Sequence, residues 1–126
     1  MVRLNKIYTR TGDSGETGLA DGSRIRKDDP LAEAIGDVDE ANSAIGVALL
    51  HVTDAEVAAM LRRVQNEMFD LGADLATPGE DFAPTETRLR IVQPQIDRLE
   101  AEIDRMNESL EPLRNFILPG GEGGSA

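Results

Sequence analysis

Cysteine and tryptophan are both absent from this 126-residue chain. Without thiols there is no disulfide to staple a loop-rich fold and no thiolate set for a metal, and nothing points to an oxidising compartment. Aromatics are scarce, three Phe and one Tyr, which removes the stacking platforms that a nucleic-acid surface uses. Cations are outnumbered, 13 Lys+Arg against 24 Asp+Glu, for a formal net charge of −11. Such a balance repels a phosphate backbone. There is no run of 18 apolar residues, and the opening Met1-Val2-Arg3-Leu4-Asn5-Lys6 is too polar for the core of a signal peptide. These absences lead to the expectation of a soluble cytoplasmic protein with no nucleic-acid or membrane partner and a small, locally held ligand. At this length the chain holds one domain, residues 1–126, with a modest core.

Period-two alternation is also missing from any run longer than a few residues, whereas helical periodicity is plain. A first helix is expected from about Leu31 to His51, with Ile35, Val38, Ile45, Ala48 and Leu49 as its apolar stripe. Asp54 reads as the N-cap of a second, in which Val57, Leu61, Val64, Met68, Leu71 and Leu75 step by four and three. A third is expected to begin near Thr85, with Leu89, Val92, Ile96, Leu99, Ile103 and Met106 as a bundle seam. Pro94 lies inside that pattern, and it either kinks the helix or moves its start toward Gln93. Thr77 to Pro84, with two prolines and a glycine, reads as a loop. Helices of this length run about 30 Å and can align as an antiparallel bundle, so the fold class is all-α.

What the chain does concentrate is at its N-terminus. Tyr8-Thr9-Arg10-Thr11-Gly12-Asp13-Ser14-Gly15-Glu16-Thr17-Gly18 brings together three glycines, three threonine hydroxyls and a cation, and Ser23-Arg24-Ile25-Arg26-Lys27 follows closely. Glycines allow the backbone to approach an anion, while hydroxyls and cations donate to phosphate oxygens. In so acidic a chain, clustered cations suit a polyphosphate. The spacing is neither the dinucleotide fingerprint nor the Walker loop, and a turn-rich N-terminal arm is the competing reading.

Five blocks together resemble the PduO-type ATP:cob(I)alamin adenosyltransferases. They are Lys6 to Gly15, Lys27-Asp28-Asp29-Pro30, Gly36 to Gly46 (GDVDEANSAIG), Phe69 to Pro78 (FDLGADLATP) and Phe116-Ile117-Leu118-Pro119-Gly120-Gly121. The resemblance implies a five-helix bundle assembled as a homotrimer, with three helices present here. Residues 1–30 would form the ATP-binding loop region and 31–126 the bundle. It implies transfer of the 5′-deoxyadenosyl group of ATP to the cobalt of cob(I)alamin, with release of triphosphate and delivery of product to an adenosylcobalamin-dependent enzyme. Cobalt(I) is itself the nucleophile, so the protein's tasks are orientation, charge stabilisation and control of cobalt's lower ligand. The alternative is a non-catalytic nucleotide- or corrinoid-binding helix bundle.

On that resemblance Thr9, Arg10, Thr11, Gly12, Thr17, Gly18 and Lys27 surround ATP, with Lys27 as the charge on the triphosphate and no protein metal site. Magnesium would come with the nucleotide, held mainly by phosphates and water. Phe116 would occupy the lower face of cobalamin and exclude its dimethylbenzimidazole, so Lys27 and Phe116 are the catalytic candidates. Phe69 would be a second wall of the corrinoid pocket, and Asp39 an inter-subunit ion-pair partner. Asn42 and Ser43 are candidate interhelical donors, with plain helix-surface polarity the alternative. His51 reads as structural or idle, and Met60, Met68 and Met106 as packing residues rather than cobalt ligands. The family's last two helices, with their arginine-rich motifs, have no counterpart here. A protein of this length alone would therefore be expected to form no stable trimer and to show no activity.

Overall fold

The computed structural model describes residues 5–121. In chain order it contains β1 (Glu16–Gly18), β2 (Arg24–Arg26), α1 (Pro30–Ala48), α2 (Ala55–Leu75) and α3 (Gln93–Asn107). The helices dominate, as the periodicity requires. The two strands form an antiparallel pair with Glu16 opposite Arg26, Thr17 opposite Ile25 and Gly18 opposite Arg24. That hairpin was not expected from sequence, because three-residue strands are too short to display alternation. Only the central residue of each strand, Thr17 and Ile25, is half-buried.

Each helix begins where its first-turn amides find an acceptor. The Asp29 carboxylate accepts from the Leu31 N–H at 2.8 Å, with Pro30 in the first turn where its fixed φ suits the helix. The Asp54 carboxylate accepts from Glu56 and Val57 at 2.8 and 2.9 Å, which bears out its reading as an N-cap. The end of α1 lies earlier than His51. The amides of Leu50 and His51 bond three residues back, to Val47 and Ala48, and this tighter winding closes the helix. The third helix begins at Gln93 rather than near Thr85. Pro94 lacks an amide hydrogen and is accommodated only in a first turn, so it sets the start and causes no kink. Gln95 Oε1 accepts from the Val92 N–H at 2.9 Å across that start. At 15 residues α3 is about 22 Å long, shorter than the expected 30 Å.

The first two helices form an αα-hairpin. Leu31, Ile35, Val38, Ile45 and Leu49 of α1 are half-buried, and Ala58 and Met60 of α2 are buried. Midway along this seam Asn42 takes an apolar position and pairs reciprocally with Gln65. Asn42 Nδ2 donates to the Gln65 carbonyl and Gln65 Nε2 to the Asn42 carbonyl, each at 3.1 Å. Gly46 makes room for this, since a Cβ there would lie 3.2 Å from Gln65 Nε2.

The third helix meets α2 differently from the apolar seam expected of it. Arg63 pairs with Glu102, Arg98 with Glu67, and Arg105 with Glu56 at 2.6 Å, an order that makes the helices antiparallel. Of the expected seam, Ile96 and Leu99 face α2 across an apolar groove, while the long ion-paired side chains span the helix interval further along and Ile103 and Met106 remain exposed. An apolar groove of about 130 Å³, lined by residues including Val64, Met68, Leu71, Ile91 and Leu99, runs beside the pairs. No helix among the described residues is long and apolar enough to cross a membrane.

Candidate functional site

The N-terminal loop is shaped by its own arginines. Arg24 Nη2 donates to the carbonyls of Thr11 at 2.8 Å and Glu16 at 3.1 Å, while its Nε lies 3.4 Å from the Glu16 carboxylate. One guanidinium thus holds both ends of the segment between Thr11 and Glu16. Turns fill the interval, with Asp13 N–H donating to Arg10 O at 3.2 Å and Gly15 N–H to Gly12 O at 3.1 Å. The Lys27 N–H donates to Gly15 O at 2.9 Å, fixing the far side of the hairpin to the loop. Arg10 and Gly15 have positive φ, 61° and 87°. For Gly15 this costs nothing; Arg10 bears strain there and stacks its guanidinium 5.5 Å from the Tyr8 ring.

The basic cluster divides into spent and unspent charge. Arg24 is taken by Glu16, and Arg26 makes a two-pronged pair with Asp28 at 2.7 and 2.6 Å. Arg26 holds the Asp28 carboxyl below its usual range, and Asp28 in turn pushes the Arg26 guanidinium up. Asp21 is also held low, by the Ser23 hydroxyl at 2.6 Å and then by the Ser23 amide. Among the described residues Lys27 and Arg10 meet no carboxylate within ion-pair distance. The ammonium of Lys27 lies against Gly12, where an added Cβ would be 3.0 Å from Nζ. Thr9 and Thr11 share a hydroxyl hydrogen bond of 2.8 Å on the same loop. Thr17 and Gly18 belong to β1, so every residue expected around a triphosphate lies on the loop or its hairpin. Such a turn, presenting backbone, hydroxyls and unpaired cations, can bind a phosphate chain.

A second hollow, of about 470 Å³, lies on the α1–α2 pair and is lined by Asp39, Asn42, Ser43, Gln65 and Phe69. Asn42 is interhelical, whereas the Ser43 hydroxyl donates to Asp39 O on its own helix at 2.9 Å. Phe69 is 75% exposed at the hollow's edge. Phe116 is fully exposed and lines a separate open hollow with Leu113, Arg114, Asn115 and Ile117. The structure therefore does not bring Phe116 and Phe69 into one cavity. His51 is exposed, Met60 buried and Met106 exposed.

Sequence reasoning missed Arg90. Its side chain is 1% exposed, and its Nη1 donates to Asp74 Oδ1 at 2.6 Å and to the carbonyls of Asp74 and Thr77, both at 3.0 Å. The other Asp74 oxygen accepts from the Ile91 N–H at 2.8 Å. The Phe82 ring lies 5.5 Å from the guanidinium carbon, beside Nε and Nη2, which have no hydrogen-bond partner. An arginine at the end of a proline-rich loop carries no periodic signal, which is why the sequence does not reveal this clamp.

Fold and loop together define a mostly helical bundle protein with an N-terminal glycine loop suited to an anion. The chain belongs to the cobalamin adenosyltransferase family, whose model matches residues 7–126. It is 50% identical over 123 residues to the corrinoid adenosyltransferase of Mycobacterium leprae (strain TN), covering 95% of this chain and 64% of that protein. It is 45% identical over 120 residues to the cobalamin adenosyltransferase of Cupriavidus metallidurans, covering 94% of this chain and 61% of that one. Among solved structures it is similar to a variant of the PduO-type ATP:corrinoid adenosyltransferase from Lactobacillus reuteri complexed with cobalamin and ATP. That match has a TM-score of 0.77 and 35% identity, over 92% of this chain and 64% of the other. The chain thus spans less than two thirds of the length of these relatives.

Proposed function

We propose that this chain contributes the nucleotide loop and part of the corrinoid site of a transferase that moves the 5′-deoxyadenosyl group of ATP onto the cobalt of cob(I)alamin. The observation that carries the reading is the unpaired ammonium of Lys27 laid on the Gly12 turn, in a chain whose neighbouring arginines are already paired. Cobalt(I) donates an electron pair to C5′, the C5′–O bond breaks, and the triphosphate leaves with that bond's electrons. Negative charge shifts onto the leaving oxygens, where Lys27 and Arg10 lower the barrier and Thr9, Thr11, Gly12, Thr17 and Gly18 fix the nucleotide. Magnesium travels with ATP. On this reading the ion is held mainly by phosphate and water oxygens.

Phe116 and Phe69 are assigned to the corrinoid, Phe116 against its lower face. Their exposure leaves both free to meet a large planar ligand. Asp39, exposed on α1 at the rim of the Phe69 hollow, is assigned to the contact between protomers of a homotrimer. A cytoplasmic location and delivery of product to an adenosylcobalamin-dependent enzyme complete the reading. The test is MgATP titration of this chain, and a spectrophotometric assay of adenosylcobalamin formation in a transferase that also carries the family's last two helices, with Lys27→Ala as the variant in each. Loss of one charge-assisted contact is expected to weaken MgATP by about 1.5–3 kcal/mol, and turnover should fall with it. Equal affinity and turnover in the variant would remove the phosphate role from Lys27. Binding without any turnover in a transferase that also carries the family's last two helices would favour a non-catalytic nucleotide- or corrinoid-binding helix bundle.

A further inference from the structure

We propose that Arg90 is a positioning residue for the nucleotide loop, acting through the C-terminal turn of α2 and resting on the phosphate reading of that loop. Among the described residues one backbone hydrogen bond ties the hairpin to the end of α2, from the Ala20 N–H to the Ala76 carbonyl at 2.8 Å. Ala20 follows β1 directly. Its neighbour Leu19 closes the turn, donating to Ser23 O at 2.8 Å and accepting from the Gly22 N–H at 3.0 Å. The hairpin that carries Thr17 and Gly18 is thus moored to α2 at a single carbonyl, at the turn opposite the end where β2 joins the cap of α1 and the Asp29 N–H donates to the Arg26 carbonyl at 3.1 Å.

That carbonyl lies in the last turn of α2, where acceptors lack helical partners and the chain frays unless held. Arg90 supplies the hold. Its Nη1 reaches the carbonyls of Asp74 and Thr77, which flank Ala76 on either side, and the Asp74 carboxylate fixes the guanidinium in return. Thr77 adds a hydroxyl bond to Ala73 O at 2.7 Å. A buried cation with three acceptors on one nitrogen and an aromatic ring over its face has little freedom, and the turn it grips inherits that rigidity. Lysine keeps the charge but not the fixed fork, so it restores only part of the grip.

The experiment compares the full chain with Arg90→Met, Arg90→Lys and Ala20→Pro, the last removing the mooring amide and fixing φ in an exposed turn. Amide hydrogen exchange is read over residues 16–26 and, as internal control, over residues 55–68 of α2. Arg90→Met and Ala20→Pro are each expected to speed exchange in residues 16–26 by about tenfold while leaving 55–68 unchanged, with Arg90→Lys intermediate. In MgATP titrations both should weaken affinity by roughly fivefold, with Arg90→Lys between them and the parent. Unchanged exchange in 16–26 overturns the proposal, as does loosening spread evenly through α2. If Arg90→Met fails to fold, Arg90→Gln, which removes the charge and shortens the reach, decides in its place, and exchange over 16–26 equal to the parent's overturns the proposal. A parent protein that binds no MgATP would defeat the phosphate reading, and the exchange comparison would still decide whether Arg90 holds the hairpin.

Discussion

The side-chain nitrogen of Lys27 rests on the α-carbon of Gly12, so closely that a methyl group built there would sit 3.0 Å from Nζ, 3.1 Å from Cε and 3.2 Å from the Glu16 carbonyl. The lysine can swing away from such a methyl, but the carbonyl is held by Arg24 and the strand pairing and yields less easily. The relationship makes Gly12 a requirement of placement rather than of φ.

Gly12→Ala is therefore expected to displace the ammonium and to weaken MgATP by about tenfold, or ~1.4 kcal/mol. Thermal unfolding should change little, since the loop lies outside the helical core. Calorimetric titration and a melting curve on the same sample check both halves. Retained affinity would mean that Lys27 does not contact the nucleotide.

Phe116→Ala should leave the melting temperature essentially unchanged, because the ring is fully exposed and exposed substitutions generally stay within about 0.5 kcal/mol. MgATP affinity should stay as well. What should disappear is the absorption signature of four-coordinate cob(II)alamin when ATP and corrinoid are both present. Formation of that species by the variant would assign Phe116 to packing alone.

Asn42→Ala removes one half of a reciprocal pair in the α1–α2 seam and is expected to destabilise the fold by about 1–2 kcal/mol. Ser43→Ala, whose hydroxyl bonds only within α1, should cost under about 0.5 kcal/mol. Urea unfolding of the two variants side by side separates the interhelical residue from its neighbour, and equal midpoints would deny Asn42 that part.

Asp21 and Asp28 both carry lowered pKa values in the folded hairpin, for different reasons, the first from Ser23 hydrogen bonds and the second from Arg26. A depressed carboxylate stabilises the hairpin above its unfolded pKa of about 3.9, and the contribution is lost as pH falls through the lower folded value. Carboxyl-carbon NMR titrations should give midpoints below that of free aspartate at both sites. Added salt should shrink the Asp28 displacement more than that of Asp21, because only Asp28 faces a charge. Midpoints at the free value would show the contacts to be absent in solution.

Most of the helical frame is legible in the residues. Asp54 announces α2, and the three-and-four stepping of Val57, Leu61, Val64 and Met68 carries it through. Pro94 left two starts open for α3, and the first-turn rule for proline selects Gln93. The hairpin was not legible, since Thr17 and Ile25 alone face inward and two residues make no pattern. The outer face of α3 misled for a related reason. Ile103 and Met106 continue the stripe of Ile96 and Leu99, but beyond the groove the partner-facing edge is chosen by Arg98, Glu102 and Arg105, whose complements lie some forty residues away on α2. Of the candidate site, the loop's chemistry was readable. The division between paired Arg24 and Arg26 and unpaired Lys27 depends on where Glu16 and Asp28 sit in space, and Arg90 depends on a contact across 16 residues.

The alternation of sign along the α2–α3 contact also dictates alignment. Sliding α3 by one helical turn, about 5.4 Å, in one direction would set Arg98 beside Arg63. The opposite slide would set Glu102 beside Glu67. Both misalignments bring like charges together, and the repulsion is screened less between Glu67 and Glu102, whose side chains are 14% and 15% exposed, than between the half-buried Arg63 and Arg98. The pattern works as a key cut for one position, so charge as well as apolar contact specifies the register of this helix.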